Sequence, residues 1–250
     1  MAEWWVDFHD DSYRFLYGPS LAPERTAGDV DHLLELLGLP AGARLLDLCC
    51  GDGRHAVLLQ QAGLRVTGLD YTPLMLVRAR ERARAAPGRP EPAWVRADAR
   101  AVPFRRGAFD AAVCLYNSIG LVGEETTNLL FAELHAVLKP GGQAVIECAH
   151  RDHHVRLQPP LGLSEVEEIE GIRVEKHGWF DPIEGEQQLV FRWRQDGQDR
   201  EKRLHYRAYT ATEVVRMLGA AGFRKCTLYG GLGGEHFDTD AEFLVAHVEA

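Results

Sequence analysis

Short apolar runs alternate with amphipathic stretches of helical length over the first 150 residues. Five of the apolar runs predict strands, at residues 44–49, 64–69, 93–97, 109–115 and 143–148. Helices are predicted at 29–37, 54–62, 74–85 and 124–138, where apolar residues recur at helical spacing. Strands that alternate with helices form parallel sheets, because each helix returns the chain across one face. The pattern therefore predicts a parallel sheet covered by helices on both faces.

The period of the pattern changes after residue 150. Between 164 and 209, apolar and polar side chains alternate with period two, so that Leu189, Phe191 and Trp193 share one face. Turn-forming residues separate these runs, which predicts an antiparallel sheet of three or four strands. This sheet interrupts the α/β pattern, and we interpret it as an insertion.

The α/β pattern returns near the end of the chain. Thr210 and Glu213 are the two ends of a capping box, which predicts a helix over 212–221. Two strands follow, at 224–229 and 243–248, with no helix between them. Strands joined without a crossover helix pair antiparallel, so the sheet is expected to close on an antiparallel edge hairpin.

Composition narrows the classes of partner. The 250 residues are 46% hydrophobic, enough for the core of one α/β domain with an insertion. With 37 acidic and 28 basic residues, the formal net charge of −9 has the wrong sign for holding nucleic acid. No apolar run could span a bilayer, and the acidic first residues do not resemble a secretory signal. Five cysteines without paired spacing favour reduced thiols and no metal site. We expect a cytoplasmic protein without nucleic-acid or membrane partners.

One segment carries recognisable chemistry. An apolar strand runs into Gly51-Asp-Gly53, a helix leaves this loop, and Asp70 closes the following strand. A strand, glycine loop, helix, strand and acid in this order hold a nucleotide-like cofactor. Gly51 lets the backbone approach the ligand, and the Asp70 carboxylate can accept from both hydroxyls of a ribose.

The glycine loop alone does not identify which nucleotide-like cofactor is bound. Residues 51–56 also fit the dinucleotide pattern G-x-G-x-x-A. Asp70 would repel a 2′-phosphate, which disfavours NADP, but NAD remains an alternative.

Further motifs follow the glycine loop in order. They are Asp98-Ala99 after the third strand, Tyr116 to Gly120 after the fourth, and Leu138 to Gly142 before the fifth. Together with the loop that begins at Asp47 and with the acid Asp70, they resemble the class I S-adenosylmethionine-dependent methyltransferases. The resemblance implies an α/β fold with a Rossmann-like seven-stranded sheet whose last strand is antiparallel, plus the inserted antiparallel β-sheet.

The resemblance also implies S-adenosyl-L-methionine as the cofactor. Asp47 would lie beneath the loop and take an amine or a loop N–H, and Asp98 and Ala99 would read the adenine. Cys49 stands where the family most often has glycine, and its side chain implies an ordinary φ. The expected cofactor contacts are Tyr17, Asp47, Cys49, Gly51, Asp70, Tyr71, Asp98, Ala99 and Leu115.

The acceptor is implied only in outline. The insertion and the segment after it resemble small-molecule methyltransferases, including amino-sugar N-methyltransferases, in which the N-terminal lead and the insertion close over the acceptor. A small-molecule acceptor follows, with nitrogen favoured over oxygen, and the candidate catalytic residues are Tyr116, Asn117 and His150. An NAD-dependent oxidoreductase and a non-catalytic module that binds an adenosyl ligand are the alternative functions.

These predictions divide the chain into four segments. Residues 1–28 form an aromatic N-terminal lid, 29–150 the cofactor-binding α/β core, 151–209 the antiparallel insertion that covers the substrate, and 210–250 the completion of the core. The protein is expected to be a monomer or a homodimer.

Overall fold

The computed structural model describes residues 8–86, 90–157 and 162–250. Trp4 and Trp5 of the expected aromatic lid lie outside these residues. Within them, no helix combines the length and the apolar character that crossing a membrane requires.

Two sheets organise the described chain. The strands are β1 (Arg44–Leu48), β2 (Arg65–Asp70), β3 (Ala93–Arg96), β4 (Phe109–Cys114), β5 (Leu138–Ala149), β6 (Leu163–Ile169), β7 (Ile172–Asp181), β8 (Glu186–Gln195), β9 (Gln198–Arg207), β10 (Arg224–Tyr229) and β11 (Phe243–Glu249). The larger sheet has the order β10-β11-β5-β4-β1-β2-β3. β11 pairs antiparallel with both β10 and β5, whereas the other neighbours pair parallel. The predicted seven-stranded sheet with an antiparallel last strand is confirmed.

Helices cover both faces of this sheet. The helices of the described residues are α1 (Asp11–Tyr17), α2 (Pro23–Leu37), α3 (Arg54–Gln61), α4 (Pro73–Ala85), α5 (Glu124–Val137), α6 (Arg151–Leu157) and α7 (Ala211–Ala221), with short 3-10 turns at Gly18–Leu21 and Ser118–Leu121. Leu33 of α2 packs with Leu45 of β1 on one face, and Phe131 of α5 packs with Leu46 of β1 on the other. Neighbouring residues of β1 thus enter opposite cores, as the alternation of a strand requires.

The inserted sheet is an antiparallel meander of β6, β7, β8 and β9. Phe191 and Trp193 are buried on one of its faces together with Leu16 of α1. The ring of Phe15, also on α1, lies 5.8 Å from that of Trp193. The N-terminal helix is therefore docked on the insertion, a contact that the periodicity of the chain did not predict.

Element boundaries differ from the predictions in a few places. α2 begins at Pro23 instead of residue 29, because proline suits the first position of a helix. β5 begins at Leu138, which pairs with Phe109, instead of at residue 143. α1 and α6 were not predicted, since seven residues are too few to show a helical period.

Trp94 of β3 packs against two glycines. A Cβ added to Gly53 would lie 2.5 Å from the indole ring, and one added to Gly68 would lie 2.6 Å from it. Gly53 also has a φ of +71°. Gly68 has no positive φ, so only its neighbours, chiefly the indole, require it to lack a side chain.

Gly68→Ala is expected to lower the free energy of unfolding by about 1–3 kcal/mol, because the added methyl must displace a rigid indole. Chemical denaturation measures the change. Gly219→Ala is the matched control, since an added Cβ there meets no atom within 4 Å. Within α7, alanine should raise stability by about 0.5–1 kcal/mol. Equal effects of the two substitutions would contradict the role given to Trp94.

Candidate active site

A cavity opens at the carboxyl ends of β1, β2, β3 and β4, with residues of α1 along one side. It holds about 1190 Å³ of space between protein atoms, open solvent included. β1 lies between β2 and β4, so successive crossovers leave it in opposite directions. Ligands of open α/β sheets bind at such a switch point.

The loop after β1 forms the floor of the cavity. The N–H of Gly51 donates to Oδ2 of Asp70 over 2.8 Å. The φ of Gly51 is +55°, and a Cβ there would meet nothing within 4 Å, so open space lies against the backbone. Cys49 has a φ of +63°. The expectation of an ordinary φ was therefore wrong: the turn itself requires the left-handed conformation that glycine adopts most readily.

Asp70 joins the glycine loop to the next strand. Its Oδ2 accepts from Gly51, and its Oδ1 accepts from the N–H of Thr72 over 2.8 Å. Burial raises the pKa of Asp70, although these two hydrogen bonds favour the charged form. The carboxylate lines the cavity, and each oxygen keeps accepting capacity for a ligand hydroxyl.

Asp47 is buried beneath the loop and lines the same cavity. Its Oδ2 has no hydrogen-bond partner among the described residues. Burial raises the pKa of Asp47 to about 7, although the nearby Arg54 favours the charged form. A buried carboxylate oxygen without a partner is costly in the free protein, so a ligand that donates to it would gain free energy.

Asp98 and Ala99 lie at the far end of the cavity, beyond β3. Both oxygens of Asp98 lie 2.9 Å from Nε of Arg100, and its Oδ1 also accepts from the backbone N–H of Arg100. The hydrogen bonds from Arg100 hold the pKa of Asp98 below its ordinary value. Tyr71 and Leu115 also line the cavity.

Tyr116 lines the cavity at the end of β4, on a strained turn. Tyr116 and Asn117 have φ values of +54° and +57°, which are uncommon for residues with side chains. Buried Glu147 holds both: its carboxylate accepts from the N–H of Tyr116, and its carbonyl accepts from that of Asn117. The hydroxyl of Tyr116 donates to Asp29 over 3.0 Å.

Three of the predicted site residues are not among those that line the cavity. Tyr17 stacks on Tyr13 and contacts Phe191 of the inserted sheet. The amide oxygen of Asn117 accepts from the backbone N–H of Ala149. His150 is fully buried, and its Nδ1 lies 2.8 Å from a backbone carbonyl. None of the described residues of the inserted sheet lines the cavity either; the sheet instead supports α1.

Sequence reasoning missed a charged cluster beside the glycine loop. Arg54 and His55 are both buried and line the cavity. Asp29 lies 3.1 Å from Nε2 of His55, and the Arg54 guanidinium lies 3.7 Å from the centre of the Tyr116 ring. The signal was present in the sequence, because a cation in the first turn of a helix opposes the helix dipole and requires another reason to be there.

Comparison with known proteins tests these assignments at the level of family. Residues 45–142 match a family model described as a methyltransferase domain. A 2-phytyl-1,4-naphtoquinone methyltransferase from Nostoc punctiforme is 38% identical over 121 residues, which are 47% of this chain and 51% of that protein. The chain spans about half the length of the curated relatives it matches.

Solved structures resemble more of the chain. The CcbJ methyltransferase from Streptomyces caelestis has a TM-score of 0.79 over 89% of both chains, at 20% identity. CalS10 with bound S-adenosylmethionine, an amino pentose methyltransferase from Micromonospora echinaspora, has a TM-score of 0.68 over 91% of both, at 24% identity. At these identities the likeness establishes a shared fold.

Most residues that line the cavity lie within the matched segment, and His9, Tyr13, Arg14 and Leu21 are the exceptions. Every acid that lines the cavity in the described residues lies within 45–142. The resemblance stated from the motifs is confirmed: residues 45–142 match a methyltransferase domain, and the chain shares its fold with solved methyltransferases, one of them with bound S-adenosylmethionine.

Proposed function

We propose that this chain transfers the methyl group of S-adenosylmethionine to a nitrogen atom of a small-molecule acceptor. The observation that carries the proposal is the unpartnered buried oxygen of Asp47, a residue that lines the same cavity as Asp70. A cation at one and a ribose at the other would satisfy both acids.

The amino-acid end of the cofactor fits the loop end of the cavity. Asp47 offers a carboxylate oxygen for an ammonium group. Arg54 is close enough to Asp47 to influence its pKa, and it lines the cavity with a guanidinium that suits a carboxylate. The negative charge of Asp47 and the positive charge of Arg54 lie close together and complement the zwitterionic amino-acid group of the cofactor.

The nucleoside end fits the opposite side. Asp70 would accept from the ribose hydroxyls while it still holds Gly51 and Thr72. Asp98 and Ala99 would contact the adenine edge. Because Arg100 already holds the Asp98 carboxylate, that carboxylate is fixed in position before any ligand arrives.

When bound, S-adenosylmethionine would supply a methyl group on a sulfonium; the acceptor lone pair would bond to the methyl carbon as the carbon–sulfur bond breaks and S-adenosylhomocysteine leaves. Orienting the two reactants can lower the barrier by up to about 7–11 kcal/mol. Tyr13 and Tyr116 line the cavity, and burial raises the pKa of both, that of Tyr13 to about 12. Both phenols therefore stay protonated at neutral pH, and they orient the acceptor instead of acting as bases. An amine can react through its neutral fraction, which agrees with this lining.

His55 is a better candidate than His150 for contacting the acceptor, because it lines the cavity and His150 does not. Burial lowers the pKa of His55, so its imidazole is neutral at pH 7. A neutral imidazole on the cavity wall can accept a hydrogen bond from an N–H of the acceptor and orient it, while the product ammonium gives its proton to solvent.

Two of the three named proteins point to different acceptors. The naphtoquinone methyltransferase matches 47% of this chain, whereas the amino pentose methyltransferase superposes over 91% of it. The greater coverage supports an amino sugar as the acceptor, and its amine is the nitrogen that we propose is methylated.

Calorimetric titration should show binding of S-adenosylhomocysteine and none of NAD. Asp70→Ala is expected to weaken the binding by about 100-fold or more, because two hydrogen bonds to a charged group are each worth about 1.5–3 kcal/mol. Asp199→Ala, on the exposed edge of the inserted sheet, should leave it unchanged. Binding of NAD alone would refute the proposal, and unchanged affinity in Asp70→Ala would refute the ribose contact.

The affinity for S-adenosylhomocysteine should fall as the pH drops from 8 to 6, by at most about tenfold. Asp47 has a raised pKa of about 7, so acid removes the carboxylate that faces the ligand ammonium. Asp47→Asn should abolish this dependence. Buried Glu147 also has a pKa raised to about 7 but does not line the cavity, so Glu147→Gln should keep the dependence. If Glu147→Gln abolished the pH dependence and Asp47→Asn kept it, the titrating group would be Glu147.

Incubation with S-adenosylmethionine and either an amino pentose or a naphthohydroquinone tests the acceptor. Mass spectrometry should detect methylation of the amine, with Asp70→Ala as the inactive control. Methylation of the hydroquinone alone would contradict the nitrogen acceptor while leaving methyl transfer intact. Ligand binding without transfer to either probe would favour a non-catalytic module.

A further inference from the structure

Three parts of the molecule meet at Asp10. This residue caps α1, where its Oδ1 accepts from the N–H of Ser12 over 2.8 Å. Its Oδ2 lies 2.7 Å from Nζ of Lys202 on β9. Its backbone carbonyl accepts from Nη1 of Arg78 on α4, over 3.4 Å. The N-terminal helix, the inserted sheet and the α/β core are thus connected through one residue.

The two cations at this junction are shielded from solvent. The side chain of Lys202 is 13% exposed and that of Arg78 is 12% exposed. Nζ of Lys202 also lies 5.4 Å from the centre of the Phe8 ring, and Arg78 pairs with Asp11. A shielded cation needs an anionic partner, so separating Asp10 from Lys202 costs more here than at a fully exposed pair.

The junction holds the residues that cover the cavity. His9, Tyr13 and Arg14 line it, whereas Asp10 and Lys202 do not. His9 is adjacent to Asp10 in the chain, and Tyr13 lies one helical turn further on. Release of Asp10 from Lys202 would therefore loosen the start of α1, next to His9 and Tyr13, while Leu16 stays packed on the inserted sheet.

We propose that Asp10 and Lys202 are positioning residues whose ion pair holds α1 over the cavity and must open before a bound adenosyl ligand can leave. The identity of that ligand rests on the proposed function; the position of the ion pair does not. The rate of ligand release is then set in part by two residues that never touch the ligand.

Asp10→Asn tests the ion pair without removing the helix cap, because asparagine caps a helix as well as aspartate does. Stopped-flow tryptophan fluorescence would follow the release of S-adenosylhomocysteine. At low salt, we expect release to be about two- to fivefold faster than in the unmodified protein. This ratio corresponds to the upper part of the range of free energies that exposed ion pairs contribute. The ratio should fall towards one in 1 M NaCl, where the charges are screened.

Lys202→Met provides an independent test, since methionine keeps an apolar stem against Phe8. It should reproduce the faster release, and the double variant should be no faster than either single variant. Asp199→Asn removes the exposed Asp199–Arg194 pair of the same sheet and should leave the release rate unchanged.

Unchanged release in both single variants, with normal binding, would overturn the ion-pair proposal and leave the proposed function standing. Effects that add in the double variant would also overturn it, because they would show that the two residues act separately. If the unmodified protein did not bind S-adenosylhomocysteine at all, both proposals would fail together.

Discussion

The hydrogen bonds accepted by the Asp70 carboxylate are the interaction on which the site depends. One oxygen holds the N–H of Gly51 in the loop after β1, and the other holds the N–H of Thr72 at the start of α4. The same carboxylate therefore fixes the glycine loop, orients the next helix and faces the cavity. A substitution at Asp70 would change the shape of the cavity floor and would also remove a ligand contact. This acid therefore has a structural role in addition to its proposed role in binding the ligand.

The fold followed from the sequence because its signals are local and repeated. Each strand of the large sheet is an apolar run with an amphipathic neighbour, and the capping box at Thr210 is complete in the structure. The two short helices α1 and α6 were not predicted, because they gain their stability from contacts with elements that are distant in the chain. α1 is held by Phe191 and Trp193, nearly 180 residues away in the chain.

Sequence reasoning placed residues in the cavity more reliably at the ends of the central strands β1 and β2 than elsewhere. Gly51, Asp47 and Asp70 reach the cavity because their positions at the ends of β1 and β2 place them there. His150 also follows a strand, but β5 lies beyond β4, away from the switch point, and its imidazole turns to a backbone carbonyl. The position of a residue directly after a strand predicts at which edge of the sheet the residue lies, but it does not predict the direction in which the side chain points.

The indole of Trp94 gives the glycine loop a second support, from below. Trp94 does not line the cavity, yet its indole fills the space against both Gly53 and Gly68. The sizes of these three residues are consequently linked. A smaller residue at position 94 would leave a void beneath the loop, and a larger one at 53 or 68 would leave no room for the indole. The position of the cavity floor thus depends on the side-chain volume at residue 94 of the outermost strand. Compensating changes of residue size at positions 53, 68 and 94 could therefore adjust the fit of the cofactor in evolution, without a change in any residue that contacts it.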